Sequence, residues 1–229
     1  MKPSQQELKQ KERELKQKMS FFILILMVLS LTVCNTPSRN KASANIYLTL
    51  VNSEHRIPDY WEQRVEFVNG TNSLGEEFLA EKETLSQFEA LREELLSEGI
   101  QIEAGSVYRS LEDQKEIYEA AKETYGDRVS EYAAEPGYSE HHTGFAVDLF
   151  LVKEGNAIRT EEALAAETET FAKIEPHLAD YGFVVRVLPG KEEVCGGLKA
   201  KPWHIRYIGP ESAKEMKEKG LVLEEYLAQ

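Results

Sequence analysis

The 229-residue chain is poor in cysteine: only Cys34 and Cys195 occur. Two cysteines cannot build a disulfide framework. The chain is also short of positive charge, with 27 Lys and Arg against 40 Asp and Glu and a formal net charge of −13. That balance argues against nucleic acid as a partner, because a phosphate backbone is met by a basic surface. No internal repeat and no low-complexity tract is present. Long apolar runs are scarce too. The exception, residues 21–34, is short for a spanning helix, which takes ~20 residues.

That run follows a tail, residues 1–19, in which six basic side chains face three acidic ones. A basic flank stays in the cytoplasm by the positive-inside rule, so the acidic bulk is expected outside. Ser20 and snorkelling lysines lengthen the run. Residues 20–36 are therefore read as a transmembrane or signal-anchor segment and 37–45 as a polar linker. No small-x-small site precedes Cys34, which argues against a cleaved signal. Leu31-Thr32-Val33-Cys34 faintly resembles a lipoprotein signal, with Val33 a poor fit. A single-pass protein of the cell membrane is expected, with residues 46–229 as an extracytoplasmic domain.

Within that domain, residues 46–51 are apolar and β-prone, and 55–61 read as irregular. Leu85, Phe88, Leu91 and Leu95 share one face of a helix over 84–98. Residues 100–108 alternate as a strand does, and 111–124 return to helix. Residues 135–138 form a turn and 145–152 a strand. A helical region over 161–181 is closed by Gly182. Strands over 183–188 and 203–207, a helix over 210–219 and a last turn at 223–226 complete the pass. Helices and strands mix without regular βαβ alternation. The expectation is an α+β fold with a central antiparallel sheet flanked by helices. Cys195, with no His near it in sequence, reads as inert packing.

Two short segments carry the chemistry: Ser139-Glu140-His141-His142-Thr143-Gly144-Phe145-Ala146-Val147-Asp148 and Lys201-Pro202-Trp203-His204-Ile205-Arg206-Tyr207. They offer His141, Asp148 and His204. Two imidazoles and a carboxylate suit a tetrahedral Zn²⁺ with one position open for water. For both early ligands to reach one ion, the seven-residue gap must fold back from a loop into a strand, and His204 must come from a neighbouring strand. His142, adjacent to His141, points away and is read as a non-ligand. His55 and His177 are read as structural.

These segments resemble the VanY-type D-alanyl-D-alanine carboxypeptidases, within the wider group of lysostaphin-like, D-Ala-D-Ala and hedgehog-fold zinc peptidases. The family's S-x-H-x-x-G-x-A-x-D motif is complete from Ser139 to Asp148. Its Y-R-S…Q element appears as Tyr108-Arg109-Ser110 and Gln114, its W-H-x-R-Y-x-G ending runs from Trp203 to Gly209, and 50–55 resemble its opening segment. The resemblance covers about residues 46–229. It implies zinc on His141, Asp148 and His204. It implies that Arg109 is a catalytic cation for the substrate carboxylate or developing oxyanion, and that Ser139 and Gln114 hydrogen-bond the peptide. The implied substrate is the D-Ala-terminated stem peptide of peptidoglycan.

One position departs from the family. Its general-base Glu is Lys201 here, and an ammonium ion takes no proton. Three readings stay open: Lys201 deprotonated and working as an unusual base, another carboxylate such as Glu140, Glu192 or Glu193 in its place, or a weak or inactive domain that binds peptidoglycan without cutting it.

Overall fold

The computed structural model describes residues 45–229. The expected tail (1–19), apolar segment (20–36) and all but the last residue of the linker (37–45) lie outside the described residues. Among the described residues no helix is long and apolar enough to cross a membrane.

The centre is an antiparallel sheet of β3 (Gln101–Ser106), β4 (Ala146–Lys153), β7 (His204–Tyr207) and β6 (Phe183–Val185), in that order, with β5 (Asn156–Ile158) paired to the far half of β4. A separate hairpin, β1 (Phe67–Thr71) with β2 (Glu77–Glu81), precedes the first helix. The helices are α1 (Lys82–Ser97), α2 (Leu111–Tyr125), α3 (Glu161–Ala165), α4 (Thr168–Leu178), α5 (Pro210–Lys219) and α6 (Leu223–Leu227). The α+β expectation with an antiparallel sheet is thus what the domain shows.

The sheet's core face explains why β4 sits in the middle. Val147, Leu149 and Leu151 pack with Phe88, Leu91 and Leu95 of α1 and with Phe171, Ile174 and Leu178 of α4. Successive side chains on a strand point to opposite faces, so Asp148 is turned away from Val147 and Leu149. Its partner across the ladder is His204. Residues directly opposite in an antiparallel pair have Cβ atoms ~4.5–5.5 Å apart. The register alone therefore sets a carboxylate beside an imidazole.

Three segments differ from the sequence reading. Residues 46–51 form no strand; Ile46–Leu48 is a 3-10 turn capped by the Asn45 side chain. The carbonyls a strand would pair are taken by a side chain, since Arg206 Nη2 donates to Tyr47 O at 3.1 Å and Thr49 O at 2.9 Å. The helical region over 161–181 is broken between α3 and α4 and ends in a 3-10 turn before Gly182. The β1–β2 hairpin has no counterpart in the sequence reading. Its five-residue strands carry Asn69, Gly70 and Thr71 on one arm, too little apolar alternation to register.

Candidate metal centre

The first motif leaves Ser139 into a 3-10 turn, Glu140–Thr143. Thr143 Oγ1 donates to Glu140 O at 2.6 Å and accepts from Phe145 N at 3.0 Å, which closes the turn onto the strand. Between them Gly144 sits at φ +75°, the left-handed region, where a Cβ would stand 2.5 Å from Phe67 Cε1. This turn is how the seven-residue gap folds back. His141 Nε2 lies 3.2 Å from Asp148 Oδ2, and His204 Nδ1 lies 2.8 Å from Asp148 Oδ1.

The donor set passes a geometric and chemical test for zinc. Ligands at 2.0–2.2 Å in a tetrahedron stand ~3.3–3.6 Å apart, and one ligand atom from each of the three residues lies within 4.8 Å of the others. Each imidazole is also fixed through its other nitrogen. His141 Nδ1 donates to Val107 O at 2.7 Å, and His204 Nε2 faces Glu140 Oε2 at 3.1 Å. Such outer partners select the tautomer that offers the remaining lone pair. Burial pushes His141 down to about 4, helped by the Arg109 charge. It is therefore neutral at pH 7, as a ligand must be. Burial opposes ionisation of Asp148, but His141 and His204 outweigh it and hold the carboxyl well below the usual range.

Glu140 is not a free carboxylate. It is buried, with Oε1 2.8 Å from Arg186 Nε and 2.9 Å from Arg206 Nη1. Burial opposes its charge, and the two guanidinium groups outweigh that and keep it ionised. Arg186 continues to Glu224 of α6 at 2.6 Å, and Glu224 accepts from Asn52 at 3.0 Å. A line of buried charge thus runs from the C-terminal helix to His204. Sequence reasoning missed Arg186, Arg206 and Glu224. The available signal was a charged residue in each of two apolar strand segments, 183–188 and 203–207.

Arg109 follows the β-bulge at Gly105, where the β3–β4 register shifts. Its Nε donates to Ser106 Oγ at 2.8 Å, Nη1 to Gln114 Oε1 at 3.3 Å and Nη2 to Asp148 Oδ2 at 2.5 Å. Gln114, buried at the start of α2, also donates to Ala134 O at 2.8 Å, so it braces Arg109. His142 is no ligand. Its Nδ1 donates to Arg109 O at 2.8 Å and its Nε2 accepts from Gly137 N at 2.9 Å. His55 bonds to Asn52. His177 meets Glu94 of α1 and Glu98, the C-cap that follows it, remote in sequence. Cys195 is buried, its thiol pushed up to about 11 by burial.

Arg109, Ser139, His141, Asp148 and His204 line one open cleft, together with Lys201. Lys201 lies one turn before β7 and its carbonyl accepts from His204 N at 3.1 Å. Its Nζ is ion-paired with Glu161 of α3 and donates to Tyr132 O at 3.5 Å. Of the carboxylates weighed against Lys201 as a base, Glu140 is committed to two arginines, and Glu192 and Glu193 do not line the cleft.

The family model for VanY, D-alanyl-D-alanine carboxypeptidase, matches residues 77–210. A D-alanyl-D-alanine carboxypeptidase of Enterococcus faecium is 29% identical over 205 residues, covering 84% of this chain and 62% of the relative. The chain spans less than two thirds of the length of the curated relatives it matches. Among solved structures, a Glu-to-Ala mutant of the vancomycin-resistance D,D-pentapeptidase VanY in complex with Zn(II) is 28% identical with a TM-score of 0.64, covering 79% of this chain and 98% of that one. The LdcB LD-carboxypeptidase is also 28% identical, with a TM-score of 0.66 over 80% of this chain and 86% of its own.

Proposed function

From the premise that this chain belongs to the VanY D-alanyl-D-alanine carboxypeptidase family, we propose that it is a membrane-anchored zinc D,D-carboxypeptidase acting on the D-Ala-terminated stem peptide of peptidoglycan. The observation that carries the reading is the convergence of His141, Asp148 and His204, with both imidazoles fixed through their second nitrogen. The anchor is the apolar segment 20–36 behind its basic tail, which places the domain outside the cytoplasm, where wall peptides are.

His141 Nε2, an oxygen of Asp148 and His204 Nδ1 would hold the zinc. Bound there, zinc acidifies water and polarises a carbonyl. The chain's own groups do the rest. Arg109, already braced by Ser106 and Gln114, offers a fixed fork to the substrate carboxylate or to charge developing on the scissile carbonyl oxygen. Ser139 lines the same wall and is placed to hydrogen-bond the peptide, while Gln114, engaged with Arg109 and Ala134, acts through Arg109. Glu140 keeps His204 in register throughout.

The test is release of D-Ala by the full-length chain from two peptides, one ending in D-Ala-D-Ala and one in an L,D-linked D-Ala. Release from the first should stop on chelation, return with zinc and be absent in His204→Ala, which should also hold no zinc. Equal zinc content in wild type and His204→Ala sinks the ligand assignment. Release from the L,D peptide alone sinks the D,D specificity.

A further inference from the structure

Hydrolysis of an amide by water needs a group that takes a proton from the attacking water and returns it to the leaving amine. The two carboxylates nearest the imidazoles have both of their oxygens engaged, whereas Glu161 meets Lys201 through Oε1. Asp148 is committed to His141, His204 and Arg109, and Glu140 to Arg186 and Arg206. Lys201, as an ammonium ion against a carboxylate, has no lone pair to offer. Besides those two, the cleft is lined by one more carboxylate, Glu161.

Glu161 comes from a different part of the chain. It opens α3, with Thr160 as N-cap, just beyond the β5 arm that follows β4. Its carboxylate is half-exposed, at 51%, whereas the Lys201 side chain that meets it is mostly covered, at 18%. Lys201 Nζ also reaches Tyr132 O. The ammonium therefore ties α3 to the 3-10 segment Gly126–Glu131 and its C-cap, Tyr132, across the opening. The lysine at the position one turn before His204 thus carries a carboxylate into the cleft by ion pairing.

On the reading that this chain is a zinc carboxypeptidase, we propose that Glu161 is the proton acceptor of the reaction and that Lys201 is the positioning residue that holds it. One O–H bond of the attacking water breaks as its oxygen bonds to the scissile carbonyl carbon, and the proton goes to a Glu161 oxygen. The same proton passes to the amide nitrogen as the C–N bond breaks, and the C-terminal D-Ala leaves as a neutral amine. Glu161 ends as it began.

The experiment uses the full-length zinc-loaded protein and the variants Glu161→Gln and Lys201→Met. Turnover of a D-Ala-D-Ala peptide is measured beside zinc content and beside calorimetric binding of a phosphinate analogue of D-Ala-D-Ala in two buffers of different protonation heat. The buffer difference counts protons taken up. Glu161→Gln should lower kcat by about 10²–10⁴-fold, hold zinc as wild type does and lose a proton uptake that wild type shows. Lys201→Met should keep that uptake and lose less in kcat. Undiminished turnover in Glu161→Gln, or proton uptake identical to wild type, overturns the proposal and leaves the carboxypeptidase reading standing. Loss of zinc from Glu161→Gln also overturns it, because Glu161 would then support the metal site. Absence of zinc binding and D-Ala release in wild type instead removes the reading beneath it.

Discussion

Glu140→Gln tests whether the buried charge line really holds His204. The substitution keeps the shape and removes one negative charge from between Arg186, Arg206 and His204. Removing one partner of a buried ion pair costs about 3–5 kcal/mol, because the remaining charge has lost its compensation. Gln still offers one acceptor oxygen to a guanidinium, so the low end, about 3 kcal/mol, is expected. For a domain of this size that lowers Tm by about 6–12 °C. His204 loses its outer carboxylate at the same time, and such losses weaken metal binding by about 10–100-fold. Thermal unfolding and zinc competition against a chelator read the two effects separately. The sign of the pH effect is fixed as well. Glu140 is held below its ordinary value in the fold. Its stabilisation is therefore complete above an unfolded value of about 4.3 and drains away as pH falls toward the lowered folded one. Glu140→Gln should flatten that acid limb, leaving the part due to Asp148 and to the other carboxylates held below their ordinary values, Glu103 and Asp113 among them. A variant with unchanged Tm, unchanged zinc affinity and an unchanged acid limb would refute the account of the charge line.

Gly144→Ala forces a side chain into a left-handed backbone, at about 1–2 kcal/mol, and against Phe67 and the Glu81 backbone, which adds about 1–3 kcal/mol of overpacking; denaturant unfolding should show the sum, and a loss below 1 kcal/mol (about a fivefold change in the equilibrium) would mean the turn is not as tight as drawn. Lys201→Glu exchanges a cation for an anion in the cleft and should tighten zinc binding by about tenfold or more, about 1.4 kcal/mol; unchanged affinity in a chelator titration would show that residue 201 does not act on the metal site.

The fold was legible wherever one face of an element is buried and the other is not. Phe88, Leu91 and Leu95 mark α1 because its other face is solvated. Residues 210–219 were bounded correctly by Pro210 at the start and Gly220 after the end, punctuation that belongs to helices in any context. Residues 46–51 failed for the opposite reason. Their apolar pattern is real, and Leu48 and Val51 are buried. What decides strand or turn is which group takes the backbone carbonyls, and here it is a guanidinium from residue 206, about 160 positions away. No local pattern contains that information.

The candidate site divides along the same line. His141, Asp148 and His204 could be named because ligand chemistry restricts the residue types and the motif fixes their order. Arg186, Arg206 and Glu224 could not, and Glu140 could be named only as a possible base, because a charged residue in sequence is by default a solvated one. Only the fold shows that these four neutralise one another in the interior. Lys201 joins both cases. As a residue type at a motif position it looked like a missing base, since the sequence shows what stands at 201 and not what stands against it. The structure sets Glu161 there, from an α3 that the sequence shows only as an acidic helix start. The charge that the motif lacks at 201 is thus present in the cleft from another segment. The consequence for reading such chains is physical: a reversed charge at one motif position calls for a search of the opposing wall for its counter-ion before activity is discounted.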